Sequence, residues 1–242
     1  MAVLCYHSVC DAWNSPLAMG TTDFAAQCEW LARRFKVVDL PTAVPLLDRR
    51  GQLPGRVVTL TFDDGFADNF DSALPALRRT GLTGAVFVVA ATLERGHPVD
   101  WVDDPPEFQL ETLTRSQIET MSDEGIHIGS HSLFHKDLTT LDYDECRQDL
   151  ATSKAILEEI VHRPVPYLAY PRGRWNDVVA RAAVAAGYVG AFSLPTGPEP
   201  IGPFSLPRVG IYRENGPLQF KVKNLRAYQL ARTSRLYRAV RG

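Results

Sequence analysis

Two short clusters in this chain hold residues of the kind that bind metal ions and move protons. Asp63 and Asp64 stand side by side, followed by Gly65, directly after the apolar run VVTLTF. His131 and His135 lie four apart in GSHSLFH. Spacing of four predicts both imidazoles on one side of a helical turn, within reach of one cation. Adjacent strand residues face opposite ways, but a strand terminus can turn both carboxylates toward one pocket. Each cluster alone has an ordinary reading. Asp-Asp-Gly is common in turns and helix caps, and a histidine pair is often packed or solvated. Together they carry more. One aspartate with two histidines is a three-donor set that leaves coordination positions open, as catalytic rather than structural sites do. A spare carboxylate beside it is suited to serve as base toward a water.

The elements that must position these residues are legible as an alternation. Short apolar, β-branched runs at 2–6, 56–62, 84–90, 127–131, 166–170, 188–194 and 207–212 read as strands. Helical periodicity occupies 24–35, 69–80, 116–124, 143–161 and 177–186. In the first helix Phe24, Ala25, Cys28, Leu31 and Phe35 share a face, with Thr22 and Asp23 as caps. Strand–helix alternation is the signature of parallel βαβ units. Roughly seven units over roughly 220 residues fit an α/β fold, a distorted (β/α) barrel in a single domain, 1–220, followed by a tail, 221–242. The Pro/Gly-rich stretch 195–207 reads as a loop within it. Chemistry in such folds sits at the C-terminal ends of the strands. The polar candidates fall there: Asp63 and Asp64 after 56–62, the histidines after 127–131, and Pro171–Gly173 after 166–170.

Composition narrows the class. Of 242 residues, 45% are hydrophobic and 22% charged, which suits an ordinary globular domain and excludes wholesale disorder. No apolar run reaches the ~18 residues of a membrane span. The opening MAVLCYHSVC lacks the basic-then-apolar order of a secretory leader. Cys5, Cys10, Cys28 and Cys146 form no CxxC pair and read as reduced thiols of a cytoplasmic protein. The net charge of −2 conceals an asymmetry. The tail carries Lys221, Lys223, Arg226, Arg232, Arg235, Arg238 and Arg241 and no acid. An acidic body with a basic tail is not the footprint of a nucleic-acid binder. Phe220, Leu225, Tyr228, Leu236, Tyr237 and Val240 are interleaved with these cations. The preferred reading is a helix packed on the barrel with solvated cations. The other is a basic amphipathic helix in peripheral contact with the inner face of a membrane or with a membrane-bound glycosyltransferase.

TFDDGFADN (61–69), GSHSLFHKDL (129–138) and AYPRGRWND (169–177) resemble the successive motifs of the polysaccharide deacetylases, carbohydrate esterase family four, also called the NodB-homology domain. LCYHSV (4–9) and LPRVGI (206–211) extend the match to about residues 3–213. The YHSV opening is similar to the subgroup of bacterial poly-N-acetylglucosamine deacetylases, whose strand order is circularly permuted. The resemblance implies a hydrolase that removes N-acetyl groups from sugars. Asp64, His131 and His135 would ligate one divalent metal, zinc first, with cobalt, nickel or iron also suited to the donor set. Asp63 would be the base that deprotonates the metal-bound water. The backbone N–H of Arg172 would meet the oxyanion, and His7 would protonate the leaving nitrogen. The family's third motif opens with an arginine that steadies the base. Here Ala169 stands in that place, and Arg208 of LPR is assigned the role. No acid is evident to orient His7.

Amide hydrolysis needs a nucleophile, a carbonyl polariser and an acid, and Asp63, the metal and His7 fill these posts. A serine nucleophile is disfavoured because no GxSxG occurs. Trp101, Trp175 and Tyr170 are the substrate-binding candidates, with Trp101 in the long segment 92–113 that opens on the active face. His127 reads as packed, and His97 and His162 as solvated. The expected substrate is an N-acetylated saccharide, glycolipid intermediate or aminosugar. The alternatives are hydrolysis of a non-sugar C–N bond, as in allantoinase-like members, and a carbohydrate-binding relative without activity.

Overall fold

Residues of the strands alternate between two apolar clusters, and this parity places the site. In the computed structural model residues 2–93, 97–195, 199–225, 227, 228 and 231 are described. The strands are β1 (Val3–Tyr6), β2 (Ser8–Val9), β3 (Ala18–Met19), β4 (Lys36–Val37), β5 (Val57–Phe62), β6 (Ala85–Val88), β7 (His127–Ser130), β8 (Tyr167–Ala169), β9 (Gly190–Ser193) and β10 (Leu206–Gly210). The α-helices are α1 (Thr21–Arg34), α2 (Leu40–Ala43), α3 (Leu74–Thr80), α4 (Arg115–Asp123), α5 (Tyr143–Val161), α6 (Asp177–Ala185) and α7 (Pro217–Lys223). Seven parallel strands, ordered β1-β10-β9-β8-β7-β6-β5, close into a barrel by pairing β1 with β5 from Val3↔Thr59 to Tyr6↔Phe62. This is the distorted (β/α) barrel expected, and its seven strands coincide with the seven apolar runs. β4 extends the beginning of β5, and β2 and β3 form a separate parallel pair.

Val3, Ala85, Phe87, Tyr167, Phe192 and Leu206 belong to one cluster. Leu4, Tyr6, Val58, Leu60, Phe62, Val86, Val88 and Val209, one step out of phase, belong to another that includes Phe24, Leu31, Leu77 and Leu157 of the helices. With both faces of the strands covered, near-continuous apolar sequence is what the fold demands. Continuing the parity of Val3 reaches Cys5 and His7. That of Thr59 and Thr61 reaches Asp63, and that of Leu206 reaches Arg208. The inner layer is tight beneath the site. At Gly129 on β7 an added Cβ would lie 2.4 Å from the Phe87 ring, so only glycine fits between β6 and β7.

Two local expectations are corrected, and four short elements are added. Thr22 and Asp23 do not cap α1, which begins at Thr21 with Gly20 as N-cap. Instead Asp11 accepts hydrogen bonds from the Thr21 backbone and hydroxyl, so a loop acid ten residues upstream satisfies the helix start. The helix over 69–80 opens with a wider π turn, Asn69–Ala73, before α3. That turn has Asn69 within it, held to the first strand's loop. The added elements, β2, β3, β4 and α2, had no reading in sequence, because elements of two to four residues carry too little periodicity.

α7 crosses the 220/221 boundary that sequence drew. Phe220 is buried against Trp30 at 5.5 Å, and the Lys223 ammonium donates to the Gly210 carbonyl. Arg226, Arg232, Arg235, Leu236, Tyr237, Arg238, Val240 and Arg241 lie outside the described residues. No described helix is long and apolar enough to cross a membrane.

Candidate functional site

The loops after β1, β5, β6, β7, β8, β9 and β10 meet over one end of the barrel. They enclose a cavity of about 410 Å³ lined by His7, Asp63, Asp64, His131, His135 and Arg172, with Leu17, Trp101, Leu194 and Tyr212. This is the C-terminal end of the strands, where parallel α/β folds place their chemistry.

Asp63 leaves β5 in inward phase. Its neighbour would face outward, but Asp64 and Gly65 both take left-handed backbone, φ 71° and 66°, which swings the second carboxylate back to the cavity. Aspartate tolerates this conformation better than most residues, at a cost of about 1–2 kcal/mol. The two carboxylates then have different partners. Asp63 receives two parallel bonds from buried Arg208, Nη1 to Oδ1 at 2.6 Å and Nη2 to Oδ2 at 2.7 Å. The Cys5 thiol donates to Oδ2 at 3.4 Å, and burial keeps that thiol protonated by pushing its pKa well up. Burial alone would lift the Asp63 carboxyl. Arg208, then His131 and His7, more than offset this and hold it well below the usual carboxylate range. Asp64 is 3.2 Å from His135 Nε2 and 3.6 Å from His131 Nε2 through its Oδ1.

The two histidines converge, but not on a helical turn. Residues 131–137 form a loop in which Ser132 and His135 have φ of 66° and 55°. Helix α5 dictates that shape. Asp149 accepts from the Leu133 backbone at 2.8 Å, and the Ser153 hydroxyl donates to the Ser132 carbonyl. The Ser132 hydroxyl accepts from the His135 backbone. His131 Nδ1 lies 2.8 Å from the Ala169 carbonyl, so this nitrogen carries the proton and Nε2 offers its lone pair to the cavity. Burial pushes His131 down to about 4, despite the pull of Asp63. The ring is therefore neutral at neutral pH.

Donor atoms of Asp64, His131 and His135 all lie within 4.8 Å of one another, and all three residues are buried. One carboxylate oxygen and two imidazole nitrogens, one of them with its tautomer fixed by a carbonyl, suit a borderline divalent cation such as zinc.

His7 lies on the cavity wall, its ring 6.3 Å from that of Tyr212. Its Nδ1 is buried and has no hydrogen-bond partner among the described residues. Its main chain is anchored: the Asn69 amide donates to the His7 carbonyl at 2.7 Å. Asp68 accepts from the Ser8 hydroxyl and the Val9 backbone. Arg172 has φ 55°, and its side chain reaches away to the Trp101 carbonyl and Asp103. Gly173 follows with φ 68°, and a Cβ added there would lie 2.6 Å from the Leu194 backbone nitrogen.

The substrate candidates divide. Trp101 lines the cavity, stacked on His135 at 4.8 Å, with its indole N–H donating to Asp64. Tyr170 does not reach the cavity: it is wholly buried and its hydroxyl donates to the Phe204 carbonyl. Tyr170 follows inward-facing Ala169 on β8, so parity sends it outward under α6. Trp175 stacks on Tyr170 at 6.3 Å and donates to Glu199, away from the cavity lining. Cys5, Asp68, Asn69 and Asp149 support the site without having been singled out. Strand parity from His7 marks Cys5. Asp149 sits mid-helix and gives no local sign.

The family model described as polysaccharide deacetylase matches residues 50–191, which include both aspartates, both histidines and Arg172. YxkH of Bacillus subtilis (strain 168) is 28% identical over 189 residues, covering 78% of this chain and 62% of that protein. The peptidoglycan-N-acetylmuramic acid deacetylase PdaA of the same organism is 31% identical over 144 residues, covering 59% and 48%. The chain thus spans less than two thirds of the length of either relative. Among solved structures, the Streptococcus pyogenes deacetylase PplD, in complex with acetate, superposes with a TM-score of 0.79 at 23% identity, covering 93% of this chain and 98% of that one. At that identity the likeness establishes the fold.

Proposed function

This chain belongs to the polysaccharide deacetylase family, and on that premise we propose that it is a metal-dependent hydrolase that removes the N-acetyl group of an N-acetylated sugar and releases acetate. The observation that carries the reading is the convergence of Asp64, His131 and His135 beside a second carboxylate, Asp63, whose partner is Arg208. A divalent cation held by the three donors would polarise the acyl oxygen and acidify a water at its open positions.

The chain's own residues divide the remaining work. Asp63 stays ionised and takes the proton of the attacking water, its carboxylate plane fixed by the two bonds of Arg208. The Arg172 main chain, turned by its left-handed φ at the cavity wall, offers an N–H to the oxyanion. His7, on the same wall, passes a proton to the leaving nitrogen. Leu17, Leu194 and Tyr212 give the acyl methyl an apolar surface. Arg172, on the cavity wall, is engaged with Asp103, and Arg208, buried behind the lining, with Asp63. Asp64 and Asp104 add negative charge. We therefore assign a neutral N-acetylhexosamine rather than an anionic sugar as the unit that enters.

Acetate release from N-acetylglucosamine oligomers, N-acetylmuramic-acid-containing glycans and cyclic amides tests this, with and without chelation. The expected result is chelator-sensitive release from the neutral oligomers, lost in Asp63→Asn. Hydrolysis of cyclic amides alone, or full activity in Asp63→Asn, would overturn it.

A further inference from the structure

The segment after β6 brings Trp101 into the site, and its polar atom is already used there. The indole N–H donates to Asp64 Oδ1 at 3.1 Å, and the ring lies over His135 at 4.8 Å and 25°. That oxygen is the one nearest both imidazole Nε2 atoms. Trp101 is itself almost fully buried. The segment's main chain is tied at two points: the Arg172 guanidinium donates to the Trp101 carbonyl at 2.8 Å, and the Trp13 indole donates to the Asp104 carbonyl at 2.9 Å. One face of the ring is thus taken up by a metal-donor candidate rather than left to a sugar.

We propose that Trp101 is a positioning residue for the cation site: its N–H orients the Asp64 carboxylate, and its ring fixes the His135 imidazole, so that both donors are set before a cation arrives. The inference rests on the reading that Asp64, His131 and His135 hold a divalent cation. Outer partners that orient ligating carboxylates and imidazoles typically change affinity by about 10–100-fold when removed. Trp101→Phe keeps a ring over His135 and deletes the N–H.

The test is a titration of the metal-free full chain with Co2+, followed by its visible d–d absorption and by calorimetry. Wild type, Trp101→Phe, His131→Ala and Trp30→Phe are compared, Trp30 being on α1 against Phe220. The expected result is one site in wild type and Trp30→Phe, its loss in His131→Ala, and association about 10–100-fold weaker in Trp101→Phe. An altered d–d band in that variant would report changed donor geometry, which a general loss of stability would not produce. Unchanged affinity and band in Trp101→Phe, with normal wild-type binding, would overturn this inference alone. So would a raised KM with unchanged Co2+ affinity, the signature of a sugar platform. Absent wild-type binding, or binding retained in His131→Ala, would overturn the underlying reading. If Trp101→Phe does not melt cooperatively, Arg172→Ala, which frees the Trp101 carbonyl, decides. Weaker Co2+ binding supports the proposal, and unchanged binding sinks it.

Discussion

Asp63 and Asp64 are neighbours in sequence with opposite surroundings, and that contrast is the residue-scale basis of the account. Asp63 is neutralised by a guanidinium, while Asp64 faces two imidazoles. The fork geometry of Arg208 cannot be reproduced by an ammonium. Arg208→Lys is expected to lower kcat more than KM. It should also raise the Asp63 pKa, shifting the acidic limb of the pH–rate profile to higher pH, since the working form is the carboxylate. A profile that stays in place would argue that Arg208 does not hold the base. His131 supplies a stability test. Its folded value of about 4 lies below an unfolded value near 6.5, so the neutral folded ring contributes stability above 6.5 that is lost as pH falls toward 4. Melting of the metal-free chain across this window is expected to show a loss of about 3 kcal/mol that His131→Gln removes. Equal pH dependence in the two proteins would contradict the assignment.

At the scale of elements, what was legible depended on period. β5, β6 and β9 announced themselves as continuous apolar runs, and α5 was delimited to the residue by its 3.6 periodicity; the structure adds an Asp142/Glu145 capping box at its start. The turn at 131–137 was misread as helical because a spacing of four fits a helix equally well. Its shape comes from Asp149 and Ser153 on α5, contacts across sequence that no local pattern encodes. Asp149→Ala leaves the Leu133 N–H without its partner, which costs about 1–3 kcal/mol when buried. Calorimetry should record this as a lower Tm together with weaker Co2+ binding. A lower Tm with unchanged binding would mean that α5 does not shape the donors. Gly129→Ala forces a Cβ onto Phe87 and is expected to cost about 1–3 kcal/mol, measurable in urea, with the donor set intact.

For the whole molecule, parity converts the barrel into a site. Inward residues on β1, β5 and β10 stack Cys5, Asp63 and Arg208 in one layer, from which His7 rises. The strands and the donor types were legible as apolar runs and as the Asp63/Asp64 and His131/His135 clusters. The outward phase of Tyr170 follows from strand parity only once Ala169 is known to face inward, and the bond of Trp101 to Asp64 depends on how the loop after β6 settles on a closed barrel. α7 adds Phe220 to the apolar layer outside the barrel, against Trp30 of α1. Phe220→Ala is expected to cost about 3–5 kcal/mol, with a matching drop in the denaturation midpoint. A change within error would show that α7 is dispensable to the barrel.

The central claim is that one divalent cation sits among Asp64, His131 and His135, with Asp63 beside it. Anomalous diffraction from a cobalt-soaked crystal tests this directly. A single strong peak at about 2.0–2.2 Å from an Asp64 oxygen and both imidazole Nε2 atoms is the predicted result. A map with no peak there, or with its peak on other residues, would contradict it.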